Sequence, residues 1–259
     1  MRSWLLVTAA WPPVGAVGWG GMPNVLITGA GTSQGIGAAC ARKLGGLGWS
    51  VGLSHWQPGD RGPDDVLGEL RALGVRAEAA EADLSEPDSA ARLFDELERR
   101  LGGGFSALVA CHCRDIELPL METPAEELDR HFAVNARSVA MLIQELARRL
   151  PGDDGRVVAF TSDALEDNVP YGVTKAALDR VVKAAAVELG PRGIRANTVN
   201  PGPTETGWIG EPLRAELAAR TPLGRTGLPA DATELVAFLL SPEGGWITGQ
   251  LLHSNGGLQ

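Results

Sequence analysis

The chain has 259 residues, of which 44% are hydrophobic and 21% charged, and its formal net charge is -9. Such a chain can bury a sizeable core, as expected of one soluble α/β domain, and its acidic excess argues against nucleic acid or an anionic membrane as a partner. Three cysteines without a framework spacing favour a reducing cytoplasm over an oxidising compartment.

The first 22 residues stand apart from the rest. Arg2 precedes a short apolar run that Pro12 and Pro13 interrupt, which faintly resembles a signal peptide. The run is far shorter than the ~20 residues that span a bilayer. Because Met22 lies just before the first strand-like segment, we expect residues 1–22 to be a non-essential extension or a misassigned start, with export as the lesser alternative. Residues 23–259 then form one domain.

A strand, a glycine-rich turn and a helix open this domain. Residues 24–28 are an apolar run typical of a buried parallel strand, and residues 38–44 are helical in pattern. The turn between them would aim backbone N–H groups and a helix N-terminus at a pyrophosphate, although Gln34 stands where the third glycine of the common motif is expected. A flexible surface turn is the alternative. The residues predicted to hold the nucleotide are Gly29, Gly31, Thr32, Ser33, Gln34, Gly35, Ile36 and Gly37.

The remaining chain alternates between strand and helix patterns. Further strands are predicted at residues 50–54, 77–81, 107–111, 156–161, 195–199 and 248–253. Helices are predicted at 64–73, 87–101 with Ser85 as cap, 124–150 with a Thr123/Glu126 capping box, 171–189 and 231–240. This alternation predicts a doubly wound parallel sheet of about seven strands with helices on both faces.

Tyr171 and Lys175 are four residues apart on a predicted helix and therefore share one face. A nearby ammonium favours the phenolate, so we expect Lys175 to lower the pKa of Tyr171 from its usual value near 10. The pair would then donate and accept a proton near neutral pH. Tyr171 is the only tyrosine, and Lys175 is one of three lysines. An ordinary surface pair is the alternative.

These residues resemble the motifs of the short-chain dehydrogenase/reductase family from about Pro23 to Leu258. The matching positions are Thr28-Gly29, Gly35-Ile36-Gly37, Asp83-Leu84, Asn135, Ser162, Tyr171, Lys175, Asn197, Val199, Pro201-Gly202-Pro203, Ile247-Thr248-Gly249-Gln250 and Gly256-Gly257. From Pro222 onward the chain looks most like bacterial 3-oxoacyl-acyl-carrier-protein reductases. The resemblance implies a Rossmann fold and hydride transfer between a nicotinamide and a ketone or secondary alcohol, with a 3-oxoacyl thioester as one substrate class.

The same resemblance implies roles for individual residues. Tyr171 would be the general acid/base, Lys175 would hold the nicotinamide ribose, Ser162 would bond the substrate oxygen, and Asn135 would hold a water of the proton relay. Two hydroxyl donors aimed at the carbonyl oxygen would stabilise its developing charge. Further cofactor contacts are expected at His55, Asp83, Leu84, Ala110, Pro201, Gly202, Thr204 and Thr206.

Three departures from the family pattern bear on the site. Five residues, not three, separate Thr28-Gly29 from Gly35, and Ala110-Cys111-His112-Cys113 replaces Asn-Asn-Ala-Gly. The loop from Ser162 to Tyr171 is short, so we expect a tight turn through residues 167–170, with Thr161 as the fallback for Ser162. No metal is expected at residues 111–113, because neighbouring strand residues point to opposite faces and no second ligand pair is evident.

The end of the second strand bears on cofactor choice. His55 and Trp56 stand where a carboxylate would repel the 2′-phosphate of NADP, and Arg61 follows, so we favour NADP(H) over NAD(H). Alternatively, His55 and Trp56 only pack against the adenine edge. Between Pro203 and Gly224, an apolar segment containing Trp208, Ile209, Pro212 and Leu213 would cover the substrate.

The sequence therefore predicts an NAD(P)-dependent oxidoreductase that forms a homotetramer or homodimer. The first alternative is an enoyl reductase of the same fold, against which the Tyr-Lys spacing counts. The second is a nicotinamide-binding regulator without catalysis, against which the complete set of Asn135, Ser162, Tyr171 and Lys175 counts.

Overall fold

A computed structural model describes residues 23–57 and 62–258 of the chain. The expectations for residues 1–22 and for Arg61 lie outside these ranges. No helix in the described ranges is both long and apolar enough to pass through a membrane.

Seven parallel strands form one sheet in the order β3-β2-β1-β4-β5-β6-β7. Their bounds are β1 Asn24–Thr28, β2 Ser50–His55, β3 Ala77–Glu81, β4 Phe105–Ala110, β5 Gly155–Phe160, β6 Ile194–Asn200 and β7 Leu251–His253. The inner strands β1 and β4 are buried along their whole length, as expected for a parallel sheet that helices cover on both faces. The predicted doubly wound parallel sheet is confirmed.

Within residues 23–57 and 62–258, eight α-helices connect and flank the strands. They are α1 Ile36–Gly46, α2 Asp64–Ala72, α3 Ser89–Leu101, α4 Ala125–Phe132, α5 Ser138–Arg149, α6 Val169–Leu189, α7 Glu211–Arg220 and α8 Pro229–Leu240. One hydrophobic core lies between the sheet and α1, α2 and α8, and the other lies between the sheet and α3, α5 and α6. Each of these six helices therefore buries an apolar stripe on one face of the sheet.

The topology determines where a site can form. The chain leaves β1 for one side of the sheet and leaves β4 for the other, so the segments that follow these adjacent strands separate. A crevice opens at such a switch point, outside the carboxyl ends of the strands. The segments after β1, β4, β5 and β6 all meet at this edge.

The predicted helix starts need correction in two places. Ser85 does not cap α3, since its hydroxyl donates to Asp83 Oδ1 at 2.6 Å and the helix begins at Ser89. The Thr123/Glu126 capping box is also absent, because the Thr123 hydroxyl donates to the Pro119 carbonyl and Pro124 holds the cap position of α4. In both cases the hydroxyl bonds a nearer local acceptor in the preceding turn.

The long predicted helix 124–150 is interrupted. A π-helical turn, Ala133–Arg137, separates α4 from α5. Such turns are frequent at functional sites, and this one contains Asn135. The sequence pattern also missed α7, which lies inside the segment expected to cover the substrate.

Candidate active site

A cavity of about 580 Å³ opens at the carboxyl edge of the sheet. It is lined by the segments after β4, β5 and β6, the last of which contributes Trp208. Tyr171, from the first turn of α6, also lines it. Its predicted site residues are Ile36, Ser162, Tyr171, Pro201, Gly202, Thr204 and Thr206, and the fallback Thr161 also lines it.

Tyr171 and Ser162 meet in this cavity. The Ser162 hydroxyl hydrogen-bonds the phenol of Tyr171, which on its own lowers the pKa of that phenol. Burial is the larger influence and, with the neighbouring ionisable groups Cys113 and Asp115, it raises the pKa of Tyr171 above its usual value. Two hydroxyl groups therefore converge where a carbonyl oxygen could be bound. The hydroxyl of Thr161, the fallback for Ser162, donates to the Lys175 carbonyl at 3.4 Å.

The expectation that Lys175 lowers the pKa of Tyr171 is wrong for the chain alone. Lys175 is 2% exposed, and its Nζ donates to the Phe160 carbonyl at 2.8 Å. Nζ lies 5.4 Å from the centre of the Tyr171 ring, so the two side chains do share a face as predicted. Burial, however, lowers the pKa of Lys175 and weakens its preference for the charged form. The net effect on the phenol is thus set by desolvation.

Asn135 holds the segment that follows β4. Its Oδ1 accepts from the Arg114 N–H at 2.7 Å, and its Nδ2 donates to the Arg114 carbonyl at 2.9 Å and to the Thr174 hydroxyl at 3.0 Å. The side chain is fully buried, and both amide hydrogens are used by protein partners. It therefore positions the cavity wall beside α6. A role in holding a water stays a prediction.

The short connection from Ser162 to Tyr171 closes through a glycine. Asp167 adopts a left-handed conformation with φ 54°, so the chain bends there. The tight turn expected at residues 167–170 is shorter than predicted, because α6 already begins at Val169. A Cβ on Gly172 would lie 2.0 Å from the Ala164 carbonyl oxygen. Only glycine lets the loop backbone lie this close to the first turn of α6.

The segment that replaces Asn-Asn-Ala-Gly packs around His112. Its Nδ1 lies 2.6 Å from the Thr28 hydroxyl, and its Nε2 lies 2.7 Å from the Ser138 hydroxyl and 3.1 Å from the Val134 carbonyl. Burial lowers the pKa of His112 to about 3, so the ring is neutral at physiological pH. Both ring nitrogens are used in joining the end of β1 to the π-helical turn.

The glycine turn has the shape of a phosphate cradle. Gly29 has φ 74°, and a Cβ there would lie 2.5 Å from the backbone nitrogen of His112. A Cβ on Gly37 would lie 2.7 Å from the Gly29 carbonyl oxygen. The α1 helix that follows has no acidic residue in its first turn and no side-chain cap at Gly35, so no side chain of this turn competes with an anion for its first N–H groups. These residues fit the pyrophosphate of a dinucleotide.

The other residues of the turn lie around this cradle. Gly31 and Ser33 are partly buried and Thr32 is exposed, and the Ser33 carbonyl accepts from Arg42 at 2.7 Å. Gln34 is exposed, and its side-chain oxygen lies 3.4 Å from where a Cβ on Gly207 would be. Gln34 therefore bridges the turn to the loop after β6.

A second cavity of about 300 Å³ lies beside β2 and β3 and is lined by Trp56 and Asp83, among others. His55, at the end of β2, carries a buried Nδ1 without a partner in the described part of the chain, an atom that a bound nucleoside could satisfy. Glu81 is a carboxylate in register with His55, and it accepts from the Gln57 N–H at 3.3 Å.

Two of the expected cofactor residues present no side chain to the crevice. Leu84 and Ala110 pack in the core formed with α3, α5 and α6, so a nucleotide could contact only their main chain. Asp83 uses Oδ1 to accept from the Ser85 N–H and hydroxyl.

The loop after β6 covers the cavity in part as predicted. Trp208 lines it and donates from its indole N–H to the Thr204 carbonyl at 3.1 Å. Ile209 is buried and Leu213 is exposed, and neither lines the cavity. Glu205 accepts from Arg214 of α7 at 2.7 Å and from the Thr226 hydroxyl at 2.6 Å, which ties both ends of the segment together.

The sequence analysis missed a clamp on α4. Glu127 accepts from the Arg114 guanidinium at 3.0 Å, and His131 Nε2 accepts from the Ile116 N–H at 3.3 Å. With Asn135, these residues recur every four positions, and together they hold two residues of the loop after β4, Arg114 and Ile116. That spacing on one helical face was the signal that could have revealed them.

Comparison with known proteins shows which family the chain resembles over most of its length. A family model described as enoyl-(acyl carrier protein) reductase matches residues 29–259. An uncharacterized oxidoreductase, YjdA, of Bacillus subtilis is 36% identical over 239 residues, which cover 90% of this chain and 95% of that protein.

Two solved structures are similar over nearly the whole chain. The angucycline C-6 ketoreductase LanV with bound NADP is 31% identical with a TM-score of 0.83, covering 91% of this chain and 95% of that one. A short chain dehydrogenase from Burkholderia cenocepacia in complex with NADP is 32% identical with a TM-score of 0.83, covering 91% and 97%.

Proposed function

The chain belongs to the short-chain dehydrogenase/reductase family, and from that premise we propose that it transfers hydride between NADP(H) and a ketone or secondary alcohol. The observation that carries the proposal is the convergence of the Ser162 and Tyr171 hydroxyls in the cavity at the carboxyl edge of the sheet. A 3-oxoacyl thioester is the finer substrate class that the resemblance supports.

The chain's own residues account for the proton and for the substrate's position. A bound nicotinamide would supply the hydride, and the glycine turn and the start of α1 would hold its pyrophosphate. Ser162 and Tyr171 would donate hydrogen bonds to the carbonyl oxygen, and Tyr171 would pass its proton to that oxygen as an alcohol forms. The raised pKa of Tyr171 favours the protonated phenol, which is the form that ketone reduction requires.

NADP(H) is the cofactor we favour. The end of β2 carries His55 instead of a carboxylate, and LanV and the Burkholderia enzyme were solved with NADP. Glu81 on the neighbouring strand is the group that would oppose a 2′-phosphate. A reducing cytoplasm is the setting we propose, supported by three cysteines that are free in the structure.

The substitution Tyr171→Phe tests the proposal. We expect kcat for ketone reduction to fall by about a hundredfold or more, because the general acid is lost, while NADPH binding changes little. Turnover is followed by NADPH absorbance with a panel of ketones, and binding by NADPH fluorescence. Val173→Ala, on an exposed face of the same helix, is the matched control. Unchanged turnover in Tyr171→Phe would remove Tyr171 from this role.

Enoyl reduction is the second candidate, since the family model that matches carries that description. Product analysis distinguishes the two, because a ketoreductase yields an alcohol from a 3-oxoacyl thioester, whereas an enoyl reductase saturates a 2-enoyl thioester. Absence of turnover with every carbonyl and enoyl compound, despite NADPH binding, would favour the non-catalytic alternative.

A further inference from the structure

The cavity is lined by an unequal set of charges. Three carboxylates, Asp115, Glu117 and Asp163, line it, and Arg220 is the one guanidinium among its lining residues. They come from three different segments, namely the loop after β4, the loop after β5 and the end of α7. The carboxylates therefore come from two loops that line the cavity, and Arg220 comes from α7.

Arg220, the one cation among the cavity-lining residues of the described ranges, does not offset this charge. Lys175 lies behind Tyr171 without lining the cavity, and burial lowers its pKa. Arg220 pairs with Glu216 at 3.4 Å, one turn earlier on α7, and Glu216 does not line the cavity. Its charge is thus already matched by a carboxylate of its own helix. An anionic substrate would have to compete with Glu216 for it.

The three carboxylates, in contrast, are met by few positive charges. Asp115 accepts from the neutral amide of Asn168 at 2.6 Å, and Glu117 has no hydrogen bond or ion pair within the described ranges. Asp163 lies 3.3 Å from His253 Nε2, a ring that is charged only when protonated. The negative charge of Asp115 also raises the pKa of Tyr171, the proposed proton donor.

We propose that this cavity selects uncharged or positively charged carbonyl compounds and discriminates against anionic ones. Like charges in a partly desolvated cleft repel more strongly than in bulk water, and three carboxylates act together. We expect a neutral 3-oxoacyl ester or thioester to bind in the cavity, whereas the carboxylates repel a keto acid with a free carboxylate. As a statement about substrates, this inference rests on the proposed function. The charge of the cavity, however, can be measured without turnover.

Cys113 provides the direct probe, because its exposed thiol lies in the cavity wall between β4 and Asp115. We would compare its alkylation rates with neutral iodoacetamide and anionic iodoacetate, each divided by the rate for a free thiol such as N-acetylcysteine. Both reagents attack the same thiolate, so their ratio cancels the thiol pKa and reports the local charge. Cys40 is buried, and tandem mass spectrometry with Cys113→Ser assigns the labelled position.

The normalised ratio should favour iodoacetamide by about tenfold in the wild-type chain. Asp115→Asn and Glu117→Gln should each bring the ratio closer to one. Glu243→Gln, which removes the same charge from the exposed turn Pro242–Gly244, should leave it unchanged. A normalised ratio of one in the wild type, or a ratio that neither cavity substitution moves, would overturn the proposal.

Turnover gives the second arm. One 3-oxo skeleton is offered as its carboxylate, its amide and its ammonium derivative, with NADPH in excess. We expect kcat/KM for the amide and the ammonium compound to exceed that for the carboxylate by about tenfold or more, with the gap narrowing in Glu117→Gln. Equal kcat/KM for amide and carboxylate would contradict charge selection. No turnover of any of the three would count against the proposed function, while the alkylation ratio would still decide the charge of the cavity.

Discussion

At the scale of single residues, the pKa of Tyr171 depends more on burial than on Lys175, four residues away in the sequence. Tyr171 and Lys175 share a helix face as their spacing predicts, but Nζ bonds the Phe160 carbonyl, and desolvation dominates the pKa of the phenol. Helical spacing gives direction, whereas burial depends on segments far away in the chain. Pairing could therefore be predicted from sequence, and the sign of the pKa shift could not.

Asp115→Asn tests the electrostatics at Tyr171. Burial is the main cause of the raised pKa of the phenol, and the negative charge of Asp115 raises it further. Removing this charge should lower the pKa of Tyr171. Because ketone reduction needs the protonated phenol, the alkaline fall of kcat/KM should move to lower pH, and oxidation of the alcohol should begin at lower pH.

The measurement is the pH profile of kcat/KM in both directions. Asn168 can still donate to the new side-chain oxygen at position 115, so the local hydrogen bond is kept. Glu117→Gln, which alters a cavity carboxylate that is not among the causes of the Tyr171 shift, is the matched control. If the alkaline limb stays in place in Asp115→Asn, Asp115 does not act on the proton donor.

At the scale of elements, periodicity predicted strands and helices well but not how the helices begin. Ser85 and Thr123 look like caps in sequence, yet each hydroxyl bonds an earlier residue instead. The π-helical turn around Asn135 leaves no pattern in apolar spacing, because it is stabilised by contacts to Arg114 and Thr174. Tertiary partners decide these details, and a single sequence does not reveal them.

The glycine at position 172 shows how an element and a loop depend on each other. Gly172→Ala would place a Cβ 2.0 Å from the Ala164 carbonyl oxygen, so the loop after β5 must move away from α6. Since that loop begins at Ser162 and α6 carries Tyr171, we expect the two hydroxyls to separate. Ketone reduction should fall by about tenfold or more, and the melting temperature should fall as well.

Gly68→Ala is the matched control, because Gly68 lies in the interior of α2 with nothing within 4 Å of its added Cβ. That change should raise stability by about 0.5–1 kcal/mol without altering activity. Activity assays and thermal unfolding on both variants provide the comparison. Wild-type activity in Gly172→Ala would show that the close approach of loop and helix does not align the site.

At the scale of the whole molecule, the order of the strands explains why residues distant in sequence form one site. Strand and helix alternation was enough to predict the parallel sheet, and a parallel sheet brings the ends of β1, β4, β5 and β6 to one edge. The family motifs then placed Ser162, Tyr171 and Thr204 at the cavity. The carboxylates of the cavity were not predicted, since Asp115, Glu117 and Asp163 lie in loops whose paths no periodic pattern encodes.

The exposed edge of the sheet at β7 is the surface through which we expect the chain to form a homodimer or homotetramer. β7 is an edge strand, Leu251 on it is 40% exposed, and the nearby Trp246 is 98% exposed. An edge strand with exposed apolar side chains is a surface that a second copy would cover. We expect the chain to sediment as a dimer or tetramer and Trp246→Arg to shift it toward smaller species, because a charge at a buried contact loses its solvation. The control is Leu73→Lys, at a separate exposed apolar position after α2, which should leave the assembly unchanged. A wild-type chain that is monomeric at micromolar concentration would contradict the prediction.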